Sequence, residues 1–77
     1  MINEIEWMNK IAEELKIHMK RQKLNQRDLA DKAGLSEVSV SRYLNGKRLM
    51  TLKSAMNISY ALGIDVSDLI DFNQRIE

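Results

Sequence analysis

The side chains of this chain with the most varied binding chemistry lie in one stretch, GLSEVSVSRYLNGKR, at residues 34–48. If a short helix begins after Ser36, positions spaced i, i+1, i+4 and i+5 share its outer face. The residues at these positions are Glu37, Val38, Ser41 and Arg42. They offer carboxylate acceptors, an apolar branch, a hydroxyl and a guanidinium fork of N–H donors. This chemistry suits the recognition of a molecular surface.

The same stretch ends in an amide and two cations. Directly after the expected helix come Asn45, Gly46, Lys47 and Arg48. Such side chains can hold phosphate groups through charge and hydrogen bonds, although ordinary loop charges would also be solvated there. We favour contact with an anionic partner.

The side chains that catalysis or metal binding requires are sparse. The chain has one histidine, His18, and no cysteine, and it contains neither a glycine-rich phosphate loop nor an H-E-x-x-H motif. Asp65, Asp68 and Asp71 lie three residues apart, but helix capping and a solvated face explain that spacing. We therefore interpret His18 as a partly buried helix residue, and we predict that the protein is not an enzyme and has no metal or cofactor site.

The net charge of +1 conceals an uneven distribution along the chain. Residues 16–53 contain ten basic and three acidic residues, net +7, whereas residues 1–15 and 54–77 carry −3 each. A basic middle between acidic ends indicates a surface that binds a polyanion. A solvated basic face without a partner would have the same composition, so the charges alone leave both interpretations open.

Length and composition are typical of one small globular domain. A chain of 77 residues without cysteine has a thin core and no disulfide to support it. With 44% apolar and 30% charged residues, it is unlike a disordered chain. No apolar run approaches the roughly 18 residues of a membrane span, and the acidic start MINEIEWMNK is unlike a secretory signal. We expect a cytoplasmic protein that does not contact membranes.

Apolar spacing and capping residues predict five helices. A first helix from about residue 3 to residue 22 has apolar side chains at steps of three and four: Ile5, Met8, Ala12, Leu15 and Met19. The other four helices have N-terminal cap residues, Asn25, Ser36, Thr51 and Asp65, and glycines that can end them, Gly34, Gly46 and Gly63. The fourth helix has apolar positions that include Leu52, Ala55, Met56, Ile58 and Leu62. No alternating run of β-branched residues competes, so the predicted fold is all-α, a five-helix bundle.

The second and third helices are separated only by Gly34-Leu35-Ser36. This is the arrangement of a helix-turn-helix, in which a tight turn sets two helices at a steep angle. The small side chain of Ala30 would let the third helix approach closely, against Val40. Val40, Tyr43 and Leu44 would then face the interior.

The pattern LNQRDLADKAGLSEVSVSRYLNGKR, residues 24–48, resembles the phage-repressor and Cro-type family of Xre-like helix-turn-helix regulators. The segment ISYALGIDVSDLI, residues 58–70, is similar to the fourth and fifth helices of that family. The resemblance implies the fold of the lambda-repressor-like DNA-binding domain. We accordingly expect residues 1–10 to extend helix 1, residues 11–71 to form the helix-turn-helix domain, and residues 72–77 to be a short C-terminal tail.

The resemblance also implies that helix 36–45 enters the DNA major groove, with Glu37, Val38, Ser41 and Arg42 at base edges. Arg42 could then donate to guanine O6 and N7, and Val38 could touch a thymine methyl group. Glu37 could accept from cytosine N4, or its carboxylate could act against wrong sites by repelling phosphate.

The residues that the resemblance places on the DNA backbone surround this strip: Gln26, Asn45, Lys47 and Arg48. Gln26 opens the second helix, where free N–H groups favour a phosphate. Arg27 and Lys53 would extend the same basic rim.

Three features depart from the family pattern. Many relatives pair an arginine in the first helix with a glutamate before the Asn-Gly, and here those positions are Met19 and Leu44. An apolar pair of matching volume can be as stable as a buried ion pair. His18 replaces a usually apolar residue, and RLMTL, residues 48–52, lacks a proline that often precedes the fourth helix. We expect that loop to be shaped differently.

Together these features predict a sequence-specific DNA-binding transcriptional regulator, a repressor, that acts as a homodimer on double-stranded DNA. The alternative is an antitoxin-like interaction module that binds a small protein partner and also autoregulates its operon. The acidic ends and the apolar N-terminal extension motivate it. Trp7, Ile11 and Ile17 would either pack against the C-terminal segment or form a subunit contact, and Val66, Ile70 and Phe72 would be either core or dimer contacts.

Overall fold

A computed structural model describes residues 3–70, which form five helices and no strand. The helices are α1 (Glu4–Gln22), α2 (Gln26–Ala33), α3 (Glu37–Leu44), α4 (Leu52–Leu62) and α5 (Val66–Ile70). The predicted all-α, five-helix fold is therefore confirmed. Among residues 3–70, none of the helices combines the length and the apolar character needed to cross a bilayer. The predicted tail, residues 72–77 with Phe72, lies outside the described residues.

Side-chain caps set where α2 and α3 begin. The Asn25 side chain accepts from the Asp28 N–H at 2.8 Å, and the Asp28 carboxylate accepts from the Asn25 N–H at 3.1 Å, which is a capping box. The Ser36 hydroxyl accepts from the Ser39 N–H at 3.1 Å. Because these bonds satisfy amides that a helix start leaves unpaired, Gln26 is held at the first position of α2.

The core lies where the five helices meet. The largest fully buried side chains come from every helix: Leu15, Leu29, Val40, Ile58 and Leu69. Ala30, only 2% exposed, belongs to the same buried cluster as Val40, and α2 packs against α3. This agrees with the prediction that a small residue at position 30 lets the two helices approach.

Two apolar side chains in the N-terminal part of α1 pack against the core. Ile11 is buried, and Trp7 is half-buried against the core. Ile17 is partly exposed, and Ile5, which shares the spacing of Leu15 and Met19, is 64% exposed. Of the two interpretations of this segment, intramolecular packing is therefore correct for Trp7 and Ile11. This packing weakens the alternative of an interaction module, which drew on the same two side chains.

The fourth helix exposes part of its apolar set. Ala55, Ile58 and Leu62 are buried, but Leu52 and Met56 are 73% and 57% exposed. At 100° per residue, positions 52 and 56 lie on average about 120° around the helix from positions 58 and 62. The sequence shows that all five positions are apolar, but it does not show which of them face the core.

Candidate nucleic-acid interface

The start of α2 and the outer face of α3 form one open depression on the surface. Its lining consists of Gln26, Glu37, Val38, Ser41 and Arg42. The structure thus brings together the four side chains predicted for base edges and one of those predicted for the backbone. On the other side of α3, Val40, Tyr43 and Leu44 are buried. One face of the helix therefore packs in the core, and the other face is open to solvent.

Arg42 is exposed on this depression and carries an unused set of donors. Within residues 3–70 its guanidinium makes no hydrogen bond or salt bridge, and neither does the Glu37 carboxylate. The two opposite charges therefore do not pair with each other, and an incoming ligand would not have to break such a bond. Glu37 lies in the first turn of α3, where the positive end of the helix dipole stabilises a negative charge.

Ser41 and Asn45 are tied to each other at the end of α3. The Asn45 Nδ2 donates to the Ser41 carbonyl oxygen at 2.8 Å and to the Ser41 Oγ at 3.3 Å. The side-chain amide that was predicted to meet phosphate thus caps its own helix in this structure. A phosphate contact from Nδ2 would have to compete with these bonds, and it remains a prediction.

The turn after α3 directs the chain toward the two cations. Gly46 has φ +66°, and the Lys47 N–H donates to the Arg42 carbonyl oxygen at 2.9 Å, which forms a Schellman turn. A Cβ at Gly46 would lie 2.8 Å from Asn9 Oδ1 of α1, so a side chain at position 46 would require the Asn9 side chain to move, in addition to the strain of the positive φ. Lys47 and Arg48 are exposed directly after this turn.

A second depression beside α3 contains two lysines that sequence reasoning missed. Lys16 and Lys20 of α1 line it together with Gln26 and Asn45. They lie four residues apart and so share one helix face. That spacing is visible in the sequence, but the proximity of α1 to Gln26 depends on the tertiary fold. The basic rim therefore extends from α2 and the α3 exit onto α1.

One buried hydrogen bond links α3 to α4. The Tyr43 hydroxyl and the Ser54 hydroxyl are 3.1 Å apart, and both residues are buried. Since the bond joins α3 to the helix behind it, it helps to fix the rotation of α3 and hence the direction of its exposed face.

His18 shares a face of α1 with an acidic residue. Its Nε2 lies 3.9 Å from the Glu14 Oε1, and both side chains are largely shielded from solvent. This position agrees with the interpretation of His18 as a partly buried helix residue, and His18 lines neither of the two depressions.

The chain was compared with known proteins. The family model of the Cro/C1-type HTH DNA-binding domain matches residues 14–75. No match was found among curated proteins. Among solved structures, the chain is similar to the restriction-modification controller protein C.AhdI from Aeromonas hydrophila, with 25% identity over 82% of this chain and 96% of that chain and a TM-score of 0.79.

A second similar structure is an HTH_3 family transcriptional regulator from Vibrio cholerae, with 21% identity and a TM-score of 0.84. The match covers 94% of this chain but only 39% of that one, and at this identity it shows the fold alone. The family match, in contrast, extends over most of the sequence, including the depression on α2 and α3. The chain belongs to the family of Cro/C1-type helix-turn-helix DNA-binding domains.

Proposed function

We propose that this chain is a sequence-specific transcriptional repressor whose helix α3 enters the major groove of double-stranded DNA. The observation that carries the proposal is the depression in which Gln26 of α2 adjoins the exposed strip of α3. The major groove is about 12 Å wide and admits a helix with its side chains. The exposed strip can therefore reach base edges while the start of α2 lies near the phosphates.

The side chains of the strip have different tasks in this proposal. Arg42, whose donors are unused within residues 3–70, is the candidate for a bidentate contact with guanine. Val38, 60% exposed, offers an apolar contact for a thymine methyl group. Ser41 lies between them, and its hydroxyl oxygen accepts a hydrogen bond from the Asn45 side chain. The Glu37 carboxylate either accepts a hydrogen bond from cytosine N4 or prevents binding to wrong sites by repelling phosphate.

The basic rim holds the DNA backbone. Lys47 and Arg48 follow the Schellman turn, and Lys16 and Lys20 extend the positive surface on α1. Gln26 stands at the N-terminus of α2, where the helix dipole favours a phosphate. Contacts of this kind fix the register of the protein on DNA and supply most of the salt-dependent affinity.

We further propose that the chain binds its operator as a homodimer. An eight-residue recognition helix reads only a few base pairs, and a genome offers on the order of a million or more competing sites. Two copies related by a two-fold axis double the sequence that is read. Their half-sites would lie about 34 Å apart, one turn of the double helix.

Selection of bound sites from random DNA, with the protein–DNA stoichiometry measured alongside, tests the proposed function. We expect enrichment of an inverted repeat with two copies of the chain on each site. Recovery of no preferred sequence, under conditions in which the protein is folded, would contradict the proposal of sequence-specific binding. Enrichment of a single half-site with one copy bound would contradict only the homodimer.

Lys47→Ala should weaken binding to all DNA sequences by a similar factor. The variant loses one phosphate contact, so the slope of log K against log salt concentration should fall by about one unit. The measurement is a salt titration on a specific and a random duplex. Lys10→Ala is the matched control, since Lys10 is an exposed lysine on the acidic N-terminal part of α1. An unchanged slope for Lys47→Ala would remove this residue from the backbone contacts.

A further inference from the structure

The fourth helix carries an apolar stripe on its outer face. Leu52, Met56 and Tyr60 are 73%, 57% and 89% exposed. They lie four residues apart, about one helical turn, and so form a continuous ridge. Single exposed apolar residues are common on protein surfaces, but a row of three large ones on one helix is typical of an interaction surface.

The ridge adjoins an apolar cavity of about 260 Å³. Leu52 belongs to both, and the rest of the cavity lining is contributed by α1, the loop before α4, α4 itself and α5: Trp7, Ile11, Leu49, Met50, Thr51, Ala55, Val66, Leu69 and Ile70. The cavity thus lies at the N-terminal end of α4, and Tyr60, the most exposed aromatic side chain of residues 3–70, lies near its C-terminal end.

We propose that this surface binds a second copy of the chain through an antiparallel contact between the two α4 helices, centred on Met56. The proposal rests on the homodimer of the proposed function and names its surface. In an antiparallel pair centred on Met56, residues equally distant from position 56 face each other. Tyr60 then lies opposite Leu52 of the partner subunit, at the mouth of the partner's apolar cavity, and the same contact is repeated on the other side of the axis.

The charges around α4 favour this direction. Lys53, in the first turn, is the single charged residue of α4, and the acidic residues Asp65 and Asp68 follow its C-terminal end. An antiparallel contact brings the basic start of one helix beside the acidic end of the other, and it also opposes the two helix dipoles. A parallel contact would bring Lys53 close to the equivalent lysine.

The ridge is also suited in size and character to the centre of a dimer interface. A standard interface buries roughly 800 Å² on each partner, and a buried tyrosine alone contributes about 150–250 Å². The three side chains of the ridge supply an exposed apolar centre for such an interface, and the centres of homodimer interfaces are mostly apolar.

Cysteine cross-linking tests the contact directly, because the chain contains no cysteine of its own. We expect Met56→Cys to form a disulfide-linked dimer on mild oxidation, because position 56 lies on the two-fold axis. Leu52→Cys alone should not, since the two copies of position 52 would be about 12 Å apart along the helix axes, beyond disulfide reach. An equimolar mixture of Leu52→Cys and Tyr60→Cys should form the mixed dimer. Ile5→Cys is the matched control for an exposed apolar site on another helix.

Sedimentation equilibrium gives a second, independent measurement. Met56→Asp should raise the dissociation constant of the dimer by about a hundredfold, as expected at the centre of an interface, whereas Ile5→Asp should leave it unchanged. Circular dichroism checks that both variants are folded. A dimer that survives Met56→Asp, a wild-type protein that is monomeric at high concentration, or preferential cross-linking of Leu52→Cys with itself would overturn the proposal. A dimer with the expected cross-links but no DNA binding would refute the proposed function and leave this contact intact.

Discussion

Arg42→Ala should relax the sequence preference at one base position of each half-site and leave the other positions as they are. The guanidinium is exposed on the α2–α3 depression and makes no other bond within residues 3–70. Loss of a bidentate contact with guanine costs about 1–3 kcal/mol of discrimination, or roughly 5- to 150-fold between the right and the wrong base. Binding-site selection with the variant, followed by titration of single-base substitutions, measures this change.

Two controls distinguish base recognition from a general loss of charge. Arg42→Lys keeps the charge but lacks the planar fork, so it should also lose preference at that position while retaining most of the non-specific affinity. Lys47→Ala should lower affinity without altering the preference. Because Arg42 is exposed, the stability of both Arg42 variants should stay within about 0.5 kcal/mol of the parent. If Arg42→Ala selects the same sites as the parent, the assigned role of Arg42 is wrong.

In the proposed function, the two faces of α3 let one short helix serve both folding and DNA recognition. Val38 and Val40 are two residues apart, yet the first is 60% exposed and the second is fully buried. The residue at position 38 can therefore be replaced to match a different DNA sequence at little cost in protein stability. Substitutions at Val40 act on the packing of α3 and reach the DNA only indirectly.

The features that the sequence predicted well are local ones. Asn25 and Ser36 cap their helices through bonds to residues three positions later, and Gly34 and Gly63 adopt the left-handed conformation that ends α2 and α4. Each of these depends on a few neighbouring residues, so residue type and spacing were sufficient. The same holds for the face of α3, since a helix of known start has a known phase.

The features that the sequence did not predict depend on which helices meet. Lys16 and Lys20 join the candidate interface only because α1 lies beside the start of α2 and the end of α3. Ile5 has the same spacing as the buried stripe of α1 but is largely exposed. Composition and periodicity describe one helix at a time, so they cannot show which part of a helix is covered by a neighbouring helix.

The apolar residues of α4 give a further example. Leu52 and Met56 are apolar like Ile58 and Leu62, yet the fold leaves the first two exposed and buries the other two. An apolar residue that the monomer does not bury is a candidate for burial by another molecule. Leu52 and Met56 belong to the surface proposed for the dimer.

Leu44→Glu should lower the free energy of unfolding by about 3 kcal/mol, because it places a carboxylate at a largely buried position of the apolar cluster, at the edge of the depression that Lys16 and Lys20 line. Leu44 and Met19 are each 6% exposed and belong to the same buried cluster. They occupy the positions at which the resemblance to the Cro-type family implies a glutamate and an arginine. Domains are stabilised by only about 5–15 kcal/mol, so the single variant should lose a large part of its stability and unfold at a clearly lower urea concentration than the parent.

Adding Met19→Arg should restore much of that loss, since the two charges can then neutralise each other where they are buried. The test is a double-mutant cycle of Leu44→Glu, Met19→Arg and the pair, measured by urea denaturation at one fixed protein concentration. Ile5→Glu, at a 64% exposed position, is the control and should cost little. We expect a favourable coupling of about 2 kcal/mol or more between positions 19 and 44. Strictly additive losses would show that the two side chains do not face each other, and that the apolar pair is not a substitute for the ion pair of the relatives.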